Sequence, residues 1–150
     1  MKLAKLLMLA DFTAFARLGE PITGATYEKW EHGHLPSELI IAEKDLQTKE
    51  SIAQETVDYY GKHLKHTTAL RDPNMESFSE DELAIIEGVL KQYGHESARH
   101  LRGLSHEEMG WRLAADREVI PYHTVFLSKH GPAESDIGRG EELASLHGWN

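Results

Sequence analysis

The stretch from Lys5 to Leu39, KLLMLADFTAFARLGEPITGATYEKWEHGHLPSEL, constrains the fold more than any other part of the chain. Leu3, Leu6, Leu7, Ala10, Ala14 and Phe15 recur at helical spacing, and Ala4, Met8, Phe12 and Ala16 fill most of the remaining positions. A helix apolar nearly all round is buried on several sides. Leu6, Leu7, Ala10 and Phe15 are therefore expected in the core, with Leu7→Ala costing about 2–5 kcal/mol. Gly19 is placed to cap that helix, and Glu20-Pro21 prevents its continuation. Pro21-Ile22-Thr23-Gly24 reads as a tight turn and Ala25 to Trp30 as a short strand. Leu35-Pro36-Ser37-Glu38 reads as the opening of a second helix reaching Thr48, with Pro in its first turn.

Residues 51–70 are rich in strand-favouring types and read as a hairpin bent at Gly61. Ser79-Glu80-Asp81-Glu82 joins a Ser N-cap to a Glu three residues on, and its extra acids suit a helix N-terminus. That helix runs to Tyr93, where Gly94 closes it, and another begins near Ser97. Ser105-His106-Glu107-Glu108 repeats the capping pattern ahead of Trp111. Ile120-Pro121-Tyr122 is a break. From Lys129 the periodicity weakens, apart from a short helix over 141–146. The expected fold is α+β: a mostly helical single domain over residues 1–128 with a small antiparallel sheet or hairpin, then a Gly/Pro-containing tail over 129–150. A chain of 150 residues buries roughly two-thirds of its unfolded surface and needs no metal or disulfide staple.

Sixteen Lys and Arg against 25 Asp and Glu give a net charge of −9. Such a surface repels phosphate backbones and disfavours general nucleic-acid binding. Lys62, His63, Lys65 and His66 form the one candidate basic cluster, which a solvated strand face explains equally well. The chain has no cysteine. That removes disulfides, thiolate zinc sites and a cysteine nucleophile, and fits a reducing compartment. MKLAKLLMLA imitates a signal peptide, but its apolar run spans only Leu6 to Ala10, short of the about 7–15 residues required. No run approaches the ~18 residues of a membrane span. A cytoplasmic protein without membrane attachment is expected.

The ten histidines include the pairs His32/His34 and His63/His66 and the group His95, His100 and His106. None stands at a recognised metal spacing with a third ligand, and there is no HExxH. Capping accounts for Glu80 to Glu82 and for Glu107-Glu108. Ser37, Ser97 and Ser105 lie near helix starts, outside any GxSxG. Gly19, Gly24 and Gly33 are not spaced as a phosphate-binding loop. No catalytic, cofactor-binding or metal residue is singled out, so a protein-binding module without enzymatic activity is expected. Its candidate interface residues are Tyr27, Trp30, Tyr59 and Tyr60, since aromatics dominate interface energetics. The competing reading is that these rings fill the gap between sheet and helices.

KLLMLADFTAFARLGEPITGATYEKWEHG resembles the opening of the Panacea-domain, SocA-like antitoxin family of type II toxin–antitoxin systems. Asp58-Tyr59-Tyr60-Gly61, Leu70-Arg71-Asp72-Pro73, Phe78-Ser79 to Val89, Leu104-Ser105-His106-Glu107 with Trp111, and Ile120-Pro121-Tyr122 follow the same pattern in order. The resemblance implies neutralisation of a cognate protein toxin by direct binding, without a cofactor. One branch resembles adaptors that deliver the toxin to a cytoplasmic protease, and other members travel with phages and mobile elements. Two departures stand out. The family usually has a further helix before its K-L-L segment, whereas this sequence begins almost at that segment, and the family's Gly-Pro turn reads Gly33-His34-Leu35-Pro36. Self-association into a homo-oligomer stays open. The alternatives are a His-dependent metal-binding protein or hydrolase, and a phage or mobile-element accessory protein without a toxin.

Overall fold

Helix α1 (Lys2–Leu18) ends where Gly19 adopts φ +84° and returns its N–H to the Phe15 carbonyl at 3.0 Å. Glycine takes this left-handed turn without steric cost. The computed structural model describes residues 2–127 and residues 138, 142, 145, 146 and 148. Most of the expected tail, with its helix over 141–146, lies outside the described residues.

Strands β1 (Tyr27–Trp30) and β2 (Gly33–Pro36) pair antiparallel, Tyr27 opposite Pro36 and Trp30 opposite Gly33. Leu35-Pro36 therefore closes a strand and does not open a helix; α2 (Leu39–Thr48) begins beyond it. Proline's missing N–H is tolerated at such a strand end. The free edge of β1 is covered by the chain near residues 117–120: Lys29 N–H donates to Glu118 O at 2.9 Å and Ile120 N–H to Tyr27 O at 2.8 Å.

Strands β3 (Ile52–Tyr59) and β4 (Lys62–Ala69) form the expected hairpin, in unbroken register from Ile52↔Ala69 to Tyr59↔Lys62. It is a separate two-stranded sheet, and every β4 residue is exposed. After a 3₁₀ turn, α3 (Glu80–Tyr93) starts with the predicted capping box, Ser79 N–H to Glu82 Oε2 at 2.8 Å and Glu82 N–H to Ser79 Oγ at 3.2 Å. Helix α4 (Ala98–Glu107) is capped by Ser97. Ser105 thus lies inside α4, and no helix starts there. Helix α5 (Met109–Leu113) and a 3₁₀ segment (Tyr122–Phe126) complete the described fold. It is α+β, mostly helical, with two small antiparallel sheets.

Helix α1 is the hub, packed against α3, α4, β2 and the second 3₁₀ segment. Met8, Phe12, Tyr27 and Ile120 form the buried centre. Of the four α1 residues expected in the core, Ala10 is buried while Leu6, Leu7 and Phe15 are half-buried. Leu6 and Leu7 instead line an apolar groove of about 210 Å³ between α1 and α3. Met8→Ala is therefore expected to cost about 2–5 kcal/mol and Leu7→Ala less. Parallel urea titrations read this ranking, and a costlier Leu7→Ala contradicts it.

Candidate interaction surface

The four candidate interface residues separate into three settings. Tyr27 is 1% exposed, its ring edge-on to Phe12 at 5.5 Å and its hydroxyl donating to Asp11 Oδ2 at 2.7 Å. Burial and the Asp11 carboxylate push its phenol far above the usual range. A side chain so enclosed cannot meet a partner, so Tyr27 belongs to the core. Trp30 is half-buried: its indole donates to Glu28 at 3.2 Å, and the Arg117 guanidinium lies 4.8 Å from its ring. Its carbonyl accepts from the Trp111 indole at 3.1 Å. Tyr59 and Tyr60 stand at the tip of the β3–β4 hairpin, 59% and 91% exposed, ring edge to ring face with centroids 4.8 Å apart.

The tip turn is built for this display. Asp58 Oδ1 accepts from the Gly61 N–H at 3.0 Å, and Tyr60 and Gly61 both adopt positive φ, +50° and +76°. Two-residue turns of this kind favour Asn-Gly. A Tyr in the left-handed region costs about 1–2 kcal/mol relative to its favoured conformations. Strand alternation puts Val57, Tyr59, Lys62 and Leu64 on one hairpin face, with Val57 opposite Leu64 and Tyr59 opposite Lys62. Helix α2 buries none of its residues and exposes Ile40 and Ile41. The α2–β3–β4 segment is an arm whose apolar side chains are not consumed by the core.

The body holds two buried polar groups that the sequence did not single out. Asp11, fully buried, accepts from Thr23 N–H at 2.8 Å, from the Thr23 hydroxyl and from Tyr27. Lys5, also buried, donates to His34 O at 2.5 Å, and His34 Nδ1 lies 2.8 Å from Ser105 Oγ. Their sequence signal was a base and an acid in the interior of an otherwise apolar helix, away from its charged ends at Lys2 and Arg17. Ser105 and His34 have the types of a nucleophile and base, but not the environment. Both are 0% exposed. Burial, then the Lys5 ammonium, lowers the His34 pKa to about 3, so it is a poor base near neutrality.

That depression gives a pH dependence. The unfolded chain protonates His34 near pH 6.5, whereas the folded protein resists until about pH 3. Stability is complete above pH 6.5 and falls as the pH drops toward 3, at up to about 1.4 kcal/mol per pH unit. Burial lowers the His106 pKa too and adds to the same trend. Urea midpoints measured at pH 7 and pH 5 should show this loss. His34→Asn, which cannot take the proton, should flatten it; an equally steep variant assigns the slope elsewhere.

The histidine pairs are dispersed. His34 is buried, while His32 is exposed on the β1–β2 turn. His63 and His66 project from opposite faces of β4, and His66 lies 3.6 Å from Glu55. His95 and His100 both approach Glu96, at 3.3 and 4.0 Å. Among the described residues no three His, Asp or Glu side chains are arranged to hold a metal ion. Nor is any helix there long and apolar enough to cross a membrane.

The model of the family "Antitoxin SocA-like, Panacea domain" matches residues 3–112. The chain belongs to the SocA-like, Panacea-domain antitoxin family. Membership supports a function of toxin–antitoxin type, suggests a non-enzymatic role, and implies a toxin as the kind of partner. Compared with curated proteins and with solved structures, the chain has no significant match.

Proposed function

We propose that this protein is an antitoxin that neutralises a cognate protein toxin by direct binding, and that the β3–β4 hairpin carries the contact. The observation behind this reading is the hairpin tip. Tyr59 and Tyr60 are displayed in a strained turn on an arm that contributes almost nothing to the core. Exposed aromatics held rigidly supply large contact area at small entropic cost. The acidic surface steers a basic partner. Trp30, pinned under Arg117, borders this contact at most. The protein works in the cytoplasm, has no catalytic turnover and binds no nucleic acid generally. Delivery of the toxin to a cytoplasmic protease, carriage on a phage or mobile element, and homo-oligomerisation are compatible extensions. The functional unit is residues 1–128, beyond the family match, because Tyr122 and Val125 pack against the core.

The test is co-expression with the product of the adjacent open reading frame, scored by growth rescue and by melting of the purified antitoxin. Tyr60→Asn is the informative variant. It removes the ring and supplies the residue that the turn favours. Melting should be unchanged or improved while rescue is lost, with affinity falling roughly 30-fold or more, the scale of an interface residue worth about 2 kcal/mol. Full rescue by Tyr60→Asn and by Tyr59→Ala excludes the hairpin tip as the contact. Tyr27→Ala should lose melting stability and rescue together.

A further inference from the structure

A second feature lies in the charge distribution. In a chain of net charge −9, one cleft of about 440 Å³ is lined by Lys5, His32, Lys62, Ala98, Arg99 and Arg102. No acidic residue lines it. Four separate parts of the fold converge there: α1, the β1–β2 turn, the hairpin tip and the first turns of α4. Among the described residues, the ion pairs involve none of these cations.

The arrangement is unfavourable on its own. Arg99 sits in the first turn of α4, which has no acidic residue, and Arg102 follows it near mid-helix. The helix dipole there favours negative charge, and bases are the wrong sign. Lys5 is almost wholly buried beside them, and burial together with Arg102 lowers its pKa to about 8. Like charges gathered without a counter-charge are relieved by a bound anion. Two arginines and two lysines call for more than one negative charge, and phosphate groups match the guanidinium fork. A long polyanion is repelled by the acidic exterior, whereas a compact one enters the cleft without crossing it. The lining holds no Phe, Tyr or Trp, so a nucleobase finds no broad ring to stack on.

We infer that this cleft is a binding site for a compact phosphate-bearing small molecule, held by Arg99 and Arg102 over the buried Lys5 and closed by Lys62 from the hairpin tip. Lys62 shares its strand face with Tyr59. Occupancy therefore ties the arm to the body and orders the surface assigned to the toxin. The site itself does not depend on that assignment.

The probe is sodium pyrophosphate, titrated calorimetrically into the full chain at pH 7 and low salt, with sodium chloride at matched ionic strength as reference. Saturable binding near one equivalent is expected. Arg99→Gln and Arg102→Gln should each weaken it about tenfold or more, the scale of one lost charge-assisted contact. Lys62→Gln should weaken it less, and Lys65→Gln, on the opposite hairpin face, should leave it unchanged. These are surface or half-buried positions, and a melt of each variant confirms folding. Heat indistinguishable from the chloride reference overturns the site, as does binding that Arg99→Gln and Arg102→Gln leave intact. If pyrophosphate fails while Arg102→Gln weakens toxin binding, the small-molecule site is rejected and the cations pass to the toxin interface. If pyrophosphate binds while Tyr60→Asn still rescues, the cleft stands and the hairpin contact falls.

Discussion

Gly33→Ala is expected to lower the melting midpoint more than any other single glycine substitution in the body. Gly33 opens β2 with φ +97°, where an L side chain is strained by about 1–2 kcal/mol. Space is the larger problem. An added Cβ would lie 2.9 Å from both Lys5 Nζ and Ser105 Cβ, and closer still to Ser105 Oγ. Both side chains are buried, and Lys5 Nζ and Ser105 Oγ are hydrogen-bonded to His34, so they cannot withdraw freely. Overpacking of this kind costs about 1–3 kcal/mol. Added to the backbone strain, it removes a large part of a typical 5–15 kcal/mol total. Gly24→Ala is the internal comparison: φ is +67°, but nothing lies within 4 Å of the new Cβ. Circular-dichroism melts of both variants separate strain from crowding. A Gly33→Ala midpoint equal to that of Gly24→Ala would refute the crowding argument.

Asp11→Ala is the second large effect. The carboxylate has no basic partner in the hydrogen-bond network; its charge is held by Thr23 N–H, the Thr23 hydroxyl and the Tyr27 hydroxyl. Removing it orphans the Tyr27 hydroxyl inside the core and releases the turn after α1. Each buried donor left unsatisfied costs about 1–3 kcal/mol, so a loss of about 3–5 kcal/mol is expected. Tyr27→Phe alone should cost less, and the double variant should cost less than the sum of the two, because both act on one contact. Equilibrium urea unfolding measures all three. Strict additivity would show that Asp11 stabilises the fold by some other route.

Local punctuation was readable from residues alone. Gly19 ends α1, Ser79 and Glu82 cap α3, and Gly61 bends the β3–β4 hairpin, because each answers a backbone requirement that its neighbours also signal. Two local signals misled for a physical reason. Leu35-Pro36 suits a helix opening, yet β1 recruits it as a strand, and His34 beside it is anchored to α1 and α4. Ser105 has a capping box's spacing, yet Ser97 starts the helix a little over two turns earlier, which turns Ser105 inward. In α1, a helix apolar on nearly every side gives no periodic clue to its inner face. The buried charges Lys5 and Asp11 choose it, and they place Met8 and Phe12 at the centre in preference to Leu6 and Leu7. The candidate interface residues could be chosen by type but not by depth: a Tyr in a strand pairs equally well at the core and at an exposed tip. The basic cleft could not be read in advance, since its cations come from distant parts of the chain.

The root of the arm carries one last consequence. Leu70 N–H donates to Ser51 O at 2.9 Å, and Ser51 is buried, so the excursion over residues 52–69 leaves and rejoins the body at nearly one point. Apart from Lys62 in the basic cleft and the contacts of β3 with α2, little between those two residues touches the rest of the fold. Mutations there should weigh little on folding. Such a segment behaves as an exchangeable cartridge: if the hairpin carries the contact as proposed, a different hairpin seated on the same Ser51–Leu70 joint would alter what the protein recognises while its core stayed unchanged.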